Sequence, residues 1–263
     1  MKIIFLDLLI LFLDWGKYNN ITVFILLGII SAMKKLNRIN NDTTQAIFLA
    51  KKQLPELVFD VVNLEGINYA LPEVMTLLDG VTVGGKKQQD ELITNNQIKS
   101  WKLLFDLIEQ DTFKVDKPTA CKLHNVVAKD EALTYGMFRH AQVFIAGTDY
   151  EVPGTNNLDD IWLNNMPTLS AKATNEQIYH YAISIFLQMA RNQFFFDGNK
   201  RTGRLMMNGI LLSHGLPVIN LPAKRQLEFN QLMTKFYPSG DEQDMQVFML
   251  SCIDQRVVEA MSK

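Results

Sequence analysis

Apolar residues recur at helical spacing along most of the chain from Ile39 onward. The segment "NNDTTQAIFLAKKQLPELVFDVVNLEG" offers Asp42 or Thr43 as an N-terminal cap and stops at Gly66. Further helices are predicted over "LPEVMTLLDG", "DELITNNQIKSWKLLFDLIEQ", "TACKLHNVVAKDE", "NEQIYHYAISIFLQMARN", "RTGRLMMNGILLSHG" and "DMQVFMLSCIDQRVVEAM". The pattern therefore predicts an all-α body.

One segment has a different pattern. In "GMFRHAQVFIAGTDYEVP", residues 136–153, two β-prone arms flank Gly147-Thr148-Asp149. Short alternating arms around a glycine-containing turn are typical of a β-hairpin. The predicted fold class is thus all-α with one short β-hairpin.

The first 33 residues carry two apolar runs, "IIFLDLLILFLDW" and "ITVFILLGIISAM", the second ending at Met33. Neither reaches the about 20 uninterrupted apolar residues of a spanning helix. Asp7 and Asp14 would also be costly in lipid. Three interpretations stay open: a membrane anchor, an amphipathic helix pair, or residues translated from an upstream start. The favoured one takes Met33 as the true beginning of a cytoplasmic protein, with membrane association through residues 1–32 as the alternative.

Composition changes this picture little. The chain has 263 residues, 48% of them apolar and 21% charged, with a net charge of -2. This is ordinary for a globular protein, and no basic field argues for nucleic acid as a partner. Cys121 and Cys252 form neither a metal-binding spacing nor a disulfide framework, so they are predicted to be small hydrophobic residues in a reducing compartment.

The candidate chemistry lies in "QFFFDGNKRTGR", residues 193–204, between two apolar helices. Unpaired backbone N–H groups at a helix start attract anions, and glycine lets the backbone approach closely. Lys200, Arg201 and Arg204 add positive charge there. Asp197 is the hard oxygen ligand that Mg²⁺ on a nucleotide needs. The stretch predicts a polyphosphate cradle without Walker spacing; a solvated basic turn capped by Asp197 is the alternative.

The same stretch resembles the signature of the Fic family, H-x-F-x-[DE]-G-N-[GK]-R-x-x-R. The matching positions are Phe195, Asp197, Gly198, Asn199, Lys200, Arg201 and Arg204. Residues 136–153 resemble the Fic flap, the hairpin that docks the target segment, and "NLEGINYALPEVMTLLDGVTVGG" resembles the region with a built-in inhibitory helix. The resemblance implies a Fic-type helical core with a hairpin flap. It divides the chain into an extension (1–32), an N-terminal helical region (33–115) and a Fic domain (116–263).

The resemblance also implies an activity. Fic proteins usually transfer AMP from ATP to a Ser, Thr or Tyr hydroxyl of another protein and release pyrophosphate, which makes ATP, Mg²⁺ and a protein target the expected partners. Members commonly dimerise, so a homodimer stays open. The implied roles are Mg²⁺ binding for Asp197, an anion hole for the α and β phosphates from Gly198, Asn199 and Lys200, phosphate support from Arg201, and γ-phosphate contact from Arg204.

Gln193 departs from this pattern, since the family has its general-base histidine there. Glutamine cannot take up the hydroxyl proton, and loss of a general base costs about 10²–10⁴ in rate. AMP transfer is therefore expected to be weak or lost, although the Gln193 amide could still orient a hydroxyl or water. His140 and His180 are the possible substitutes, but a structural or surface role explains both more simply.

A second departure lies in the inhibitory motif, which reads [ST]-x-x-x-E-[GN] in the family and "VVNLEG" here. The resemblance implies that Glu65 pairs with Arg204 and blocks the γ-phosphate position. Val61 replaces the hydroxyl residue, so one supporting hydrogen bond is expected to be missing. The alternative is that Glu65-Gly66 is only a helix end.

Three functions follow from these residues. The leading one is an ATP-binding Fic protein, nominally a protein adenylyltransferase, impaired at Gln193. The second is a non-catalytic module that binds a nucleotide or a partner. The third is a hydrolase that removes AMP from a modified protein, with Glu65 positioning a water.

Overall fold

The structure is a computed structural model that describes residues 36–262. The helices within this part of the chain, numbered α1 to α10 in order, are Thr43–Leu64, Leu71–Leu78, Gln88–Glu109, Lys117–Val127, Leu158–Asn164, Asn175–Asn192, Asn199–Ser213, Gln226–Ser239, Gln243–Leu250 and Gln255–Met261. The predicted all-α class is confirmed. In this range no helix has the length and apolar content to cross a bilayer, and the hypotheses about residues 1–32 lie outside it.

Local sequence signals explain where the main helices begin and end. Asp42 caps α1 by accepting a hydrogen bond from the Gln45 N–H, at 2.9 Å. Thr174 and Gln177 form a reciprocal capping box at the start of α6. α1 ends at Leu64, before Gly66, as the sequence predicts.

The core is built around α7, which is buried on nearly all sides from Asn199 to Leu212. α6 runs against it most closely, and α1, α3 and α4 pack on its other faces. A Cβ at Gly203 would lie 3.2 Å from the Phe186 ring, so a glycine here permits the close approach of α6 and α7. This packing brings the end of α1 and the start of α7 together.

The segment 136–153 turns where the sequence predicts, at Ala146-Gly147, but its arms form no β-ladder. The predicted strand pairing is therefore wrong for these described residues. Side chains supply the contacts instead: Gln142 donates to the Val152 carbonyl at 3.1 Å, and the Arg139 guanidinium donates to the carbonyls of Ala141 and Pro153. We call residues 136–153 the flap.

The C-terminal helix is also different from its prediction. The single helix expected over residues 244–261 is split into α9 and α10 around Cys252-Ile253. Ile253 forms an isolated β-bridge with Ile219, and Asp254 caps the second helix. Helical periodicity continues across the break and therefore conceals it.

Candidate functional site

The loop between α6 and α7 reverses the chain with two left-handed residues. Gln193 ends α6 with φ 48°, and Gly198 precedes α7 with φ 68°. Phe194 and Phe195 between them are fully buried. A Cβ at Gly198 would lie 3.3 Å from Val127, against α4, so both backbone angle and space favour glycine. We call residues 197–204 the cradle.

Asn199 holds this loop in shape. Its side chain is buried, and its Oδ1 accepts a hydrogen bond from the Phe195 N–H at 2.9 Å. Its Nδ2 donates to the Phe195 carbonyl at 2.8 Å and to Gln193 Oε1 at 2.9 Å. The side chain is therefore committed to the loop, and any contact of Asn199 with an anion would come from its backbone N–H at the start of α7.

The Gln193 side chain is engaged at both ends of its amide. Its Nε2 donates to the Ala190 carbonyl at 2.6 Å, while its Oε1 accepts from Asn199. Its backbone carbonyl accepts from Arg139 Nε at 2.6 Å, which ties the root of the flap to the end of α6. In this arrangement Gln193 closes the loop and does not present a free amide.

Asp197 lies at the mouth of the cradle with a side chain that is 61% exposed. Its Oδ1 accepts from the Gly198 N–H at 2.6 Å and is 3.7 Å from Arg201 Nη2. The described residues contain no group of three or more His, Cys, Asp or Glu that could hold a metal ion. Magnesium commonly takes one or two carboxylates and completes its shell with phosphates and water. Asp197 thus fits an ion that arrives with a nucleotide.

Arg201 is held by an acidic residue that the sequence analysis missed. Its guanidinium forms a two-pronged pair with Glu131, with Nη1 2.7 Å from Oε2. Burial by itself would lower the pKa of Arg201, but the hydrogen bonds and charge of Glu131 raise it above its ordinary value. The sequence has two carboxylates between α4 and the flap, Asp130 and Glu131, and no pattern in it marks Glu131 as the partner.

Arg204 pairs with Glu65, as the family resemblance implied. Arg204 Nη2 is 2.9 Å from Glu65 Oε1, which reaches the cradle from the end of α1. Burial by itself would raise the pKa of Glu65, but the charges of Arg204 and Arg201 hold it below its usual value. Glu65 is therefore ionised at neutral pH. Burial raises the pKa of nearby Tyr237 to about 12, so this phenol stays protonated.

One cavity brings together all the predicted site residues except Arg204. The residues that line it are Glu65, Gln193, Asp197, Gly198, Asn199, Lys200 and Arg201. Its volume is about 50 Å³, enough for a few water molecules. A triphosphate needs more room, and Glu65 is the side chain that stands between this cavity and Arg204.

A second, smaller cavity lies behind Arg204. It measures about 20 Å³, and Val61, Gln97 and Arg204 are among its lining residues. Arg204 Nη1 and Gln97 Nε2 are buried and have no hydrogen-bond partner within the described part of the chain. The Arg204 guanidinium therefore has a hydrogen-bond partner at Nη2, which is Glu65, and none at Nη1 within the described residues.

The histidines are placed as follows. His124 is fully buried beneath the cradle, where its ring stacks on Phe195 at 3.8 Å. His180 contacts Gln246 of α9 at 2.9 Å. His140 is exposed and packs edge-on against Phe196, 5.0 Å between ring centres. None of the three rings has a hydrogen bond to Gln193, and the sequence analysis did not foresee the contact of His124 with the cradle.

The sequence profile of the Fic/DOC family matches residues 114–211. Curated relatives include "Protein adenylyltransferase Fic" of Drosophila ananassae and of Drosophila virilis. Each is 24% identical over 226 residues, which cover 82% of this chain and 43% and 44% of those proteins. The chain thus spans less than half the length of these relatives.

Solved structures share the fold. Fic-1 (aa134 - 508) from C. elegans has a TM-score of 0.70 and 20% identity, covering 90% of this chain and 72% of that one. A Fic domain containing signaling protein from Bacteroides thetaiotaomicron has a TM-score of 0.64 and 15% identity, covering 90% and 94%. The predicted domain boundary at residue 115 stays a prediction.

Proposed function

Because residues 114–211 form a domain of the Fic/DOC family, we propose that this protein binds ATP in the cradle and transfers AMP slowly to a hydroxyl of a target protein. The observation that carries the proposal is the buried Arg204 near the start of α7, whose Nη2 donates a hydrogen bond to the ionised carboxylate of Glu65. A buried guanidinium next to a helix N-terminus is a site for a phosphate, and here Glu65 takes its place.

Each residue of the cradle would contact a different part of the bound ATP. The backbone N–H groups that begin α7 would hold the inner phosphates, and Lys200 would add charge at their side. Arg201, kept in place by Glu131, would support the phosphates, and Arg204 would meet the γ phosphate. A magnesium ion bound by Asp197 would neutralise phosphate charge when the nucleotide is present.

The transfer step needs a proton acceptor that position 193 does not provide. The target hydroxyl oxygen would form a bond to the α phosphorus, the bond from that phosphorus to the bridging oxygen would break, and pyrophosphate would leave with the electron pair. The hydroxyl proton would pass to solvent water, because Gln193 has no titrating group. The expected loss is about 10²–10⁴ in rate relative to a site with a histidine base.

Glu65 is the proposed inhibitor of this site. It occupies Arg204, and in the closed arrangement the cradle cavity is only about 50 Å³. ATP would therefore bind only when Glu65 swings away and leaves Arg204 to the γ phosphate. The energy needed to separate this partly buried pair would lower the apparent affinity for ATP.

A second candidate function is nucleotide binding without transfer. The observation that favours it is Gln193, whose amide is engaged by Ala190 and Asn199 and is not free to orient a hydroxyl. Removal of AMP by a water positioned on Glu65 is less favoured, since the lowered pKa of Glu65 makes it a poor base. A Ser, Thr or Tyr hydroxyl as acceptor, a homodimer, the lack of a nucleic-acid partner and a cytoplasmic location stay predictions.

The first experiment is calorimetric titration of ATP and Mg²⁺ into the native chain and its Glu65→Ala, Arg204→Ala and Arg225→Ala variants. Glu65→Ala should tighten ATP binding at least about tenfold because Arg204 is freed. Arg204→Ala should weaken it, whereas Arg225→Ala, which removes an arginine paired with Glu228 outside the cradle, should change nothing. Equal affinities for all four proteins would contradict the proposed site.

The second experiment separates transfer from binding alone. The Glu65→Ala chain and a Glu65→Ala, Gln193→His double variant are incubated with α-³²P-ATP, Mg²⁺ and cell lysate. Slow labelling by the first and labelling about 10²-fold faster by the second would support an adenylyltransferase. ATP binding without labelling by either protein would favour the non-catalytic module.

A further inference from the structure

A buried histidine connects the cradle to the root of the flap. His124 of α4 has no exposed surface, and its Nδ1 is 3.0 Å from the backbone nitrogen of Gly136. Its Nε2 is 3.0 Å from the backbone carbonyl oxygen of Asp197. The ring lies flat on Phe195, with an angle of 7° between the two planes.

The two partners determine which nitrogen carries the proton. A backbone N–H can only donate, so Nδ1 must accept from Gly136, and a carbonyl can only accept, so Nε2–H must donate to Asp197. His124 is therefore a neutral ring in its Nε2–H form. Stacking on Phe195 keeps the ring in the plane that both hydrogen bonds require.

The carbonyl held by His124 belongs to the peptide that joins Asp197 to Gly198. In a planar trans peptide the C=O and the N–H point in opposite directions. By drawing the C=O toward α4, His124 turns the Gly198 N–H away from α4 and toward the cradle cavity, where it donates to Asp197 Oδ1 at 2.6 Å. In this structure the carboxylate oxygen stands where an oxygen of a bound anion would be.

Because residue 198 is glycine, the Asp197–Gly198 peptide needs a hydrogen bond to fix its orientation. Gly198 has a left-handed φ of 68° and no side chain to limit rotation of its peptide. Without the hydrogen bond from His124, the Asp197–Gly198 peptide could turn so that a carbonyl oxygen, rather than an N–H, faces the phosphates. A carbonyl in that place would repel the anion that the cradle binds.

We propose that His124 is a positioning residue, which aims the Gly198 N–H at a phosphate of the bound nucleotide by holding the Asp197 carbonyl. The inference rests on the proposed function, since it takes the cradle to be the nucleotide site. It assigns to the ring a role in anion binding that is separate from filling the core, and the same ring makes the cradle sensitive to the position of Gly136 in the flap.

A pair of conservative variants separates this role from packing. His124→Gln keeps a donor near Nε2, and His124→Asn keeps an acceptor near Nδ1 for Gly136 but loses that donor. Both are made in the Glu65→Ala chain and titrated with ATP and Mg²⁺, with melting temperatures measured in parallel. We expect ATP affinity within about twofold for Gln and about 3–10-fold weaker for Asn, the effect of one lost hydrogen bond.

The proposal would be wrong if the Asn variant binds ATP as tightly as the Gln variant. It would also be wrong if the ATP affinities of the variants rank with their melting temperatures and not with the presence of a donor at the Nε2 position. NMR of the nucleotide-free variants supplies a readout that does not depend on ATP. The Asp197 carbonyl carbon and the Gly198 amide should shift in His124→Asn and stay in His124→Gln. If neither the Glu65→Ala chain nor its His124 variants bind ATP, the proposed function is wrong. The NMR signals of the Asp197 carbonyl carbon and the Gly198 amide then still test whether His124 orients this peptide.

The native chain gives a test without substitutions, should the Asn variant not fold. Nitrogen-15 shifts of the imidazole should show a protonated Nε2 and an unprotonated Nδ1 at neutral pH. A protonated Nδ1 would mean that His124 does not donate to Asp197, and the proposal would be wrong.

Discussion

Arg201 and Arg204 lie one turn apart on α7, and each is balanced by a carboxylate from elsewhere in the chain. Glu131 comes from the segment before the flap, and Glu65 from the end of α1. Two buried guanidinium groups this close would repel each other without these partners. The resting cradle is thus electrically balanced, and only the Glu65 side faces the place that ATP would take.

At the residue scale, Glu131→Gln should lower the free energy of unfolding by about 3 kcal/mol, because it leaves the buried Arg201 without its partner. The matched control is Glu109→Gln. Its pair with Lys51 is nearly half exposed, at 46% and 45%, and should be worth less than about 1 kcal/mol. Urea unfolding of both variants measures the two losses, and equal losses would contradict the assigned burial of Arg201.

His124 gives a prediction about pH. Burial lowers the pKa of its ring from 6.5 to about 4. As pH falls below 6.5 the unfolded chain takes up a proton that the folded chain refuses, so stability present above that pH is lost progressively toward pH 4. The loss between pH 7 and pH 5 should be about 2 kcal/mol. Urea unfolding at both pH values should show a correspondingly flatter dependence in His124→Gln, and identical slopes would contradict a neutral buried ring.

At the scale of elements, the proposed inhibition depends on the contact of α1 with α7, through the pair of Glu65 and Arg204. Glu65 directly follows the last residue of α1, and one turn earlier Val61 lines the same small cavity as Arg204. Within the described residues the Nη1 of Arg204 has no hydrogen-bond partner. A valine cannot accept a hydrogen bond, so α1 satisfies only one side of the guanidinium. The contact that we propose to be inhibitory therefore lacks one hydrogen bond, at Arg204 Nη1.

Val61→Thr should strengthen that contact by placing an acceptor in the cavity. One added hydrogen bond is worth about 1 kcal/mol, so ATP affinity should fall about fivefold. Val62→Thr is the control, since Val62 is fully buried but does not line the cavity; it should cost stability and leave ATP affinity unchanged. Calorimetry reads the affinities, and unchanged or tighter ATP binding by Val61→Thr would count against the role of this cavity.

At the scale of the whole molecule, the start of α1 is fastened to the end of α7. Asn41 Nδ2 donates to the His214 carbonyl at 2.8 Å, and the Asp42 N–H donates to the Gly215 carbonyl at 3.3 Å. A Cβ at Gly215 would lie 2.5 Å from the Asp42 nitrogen, so only glycine permits this approach. The two helices that carry Glu65 and Arg204 are thus joined at both ends.

Gly215→Ala should accordingly destabilise the protein far more than an ordinary left-handed glycine would. Gly85 is the matched control, since it has φ +79° and a Cβ at this position would have no atom within 4 Å. Gly85→Ala should cost about 1–2 kcal/mol of backbone strain alone, and Gly215→Ala at least about 2 kcal/mol more. Thermal unfolding measures both variants. Similar melting temperatures for Gly215→Ala and Gly85→Ala would contradict the prediction, because they would mean that the contact between α1 and α7 accommodates the added methyl group.

Much of the architecture could be predicted from local patterns. The capping of α1 by Asp42, the exact extent of α6 and the glycine before α7 all follow from interactions within a few residues. The family signature also anticipated the pair of Glu65 and Arg204, 139 positions apart. The caps and the loop depend on residue types at short spacing, which a sequence displays directly, whereas the pair was implied by the resemblance of two separate motifs to those of the family.

Other features depend on which distant segments meet in the folded core. Glu131 reaches Arg201 across 70 positions and His124 reaches Asp197 across 73, and no local pattern records either contact. In the flap, side chains such as Arg139 bind carbonyls where the sequence predicted paired strands, and the C-terminal helix breaks where Ile253 meets Ile219. Periodicity and capping act over one or two turns, whereas burial and hydrogen-bond partners are settled by packing across the whole chain.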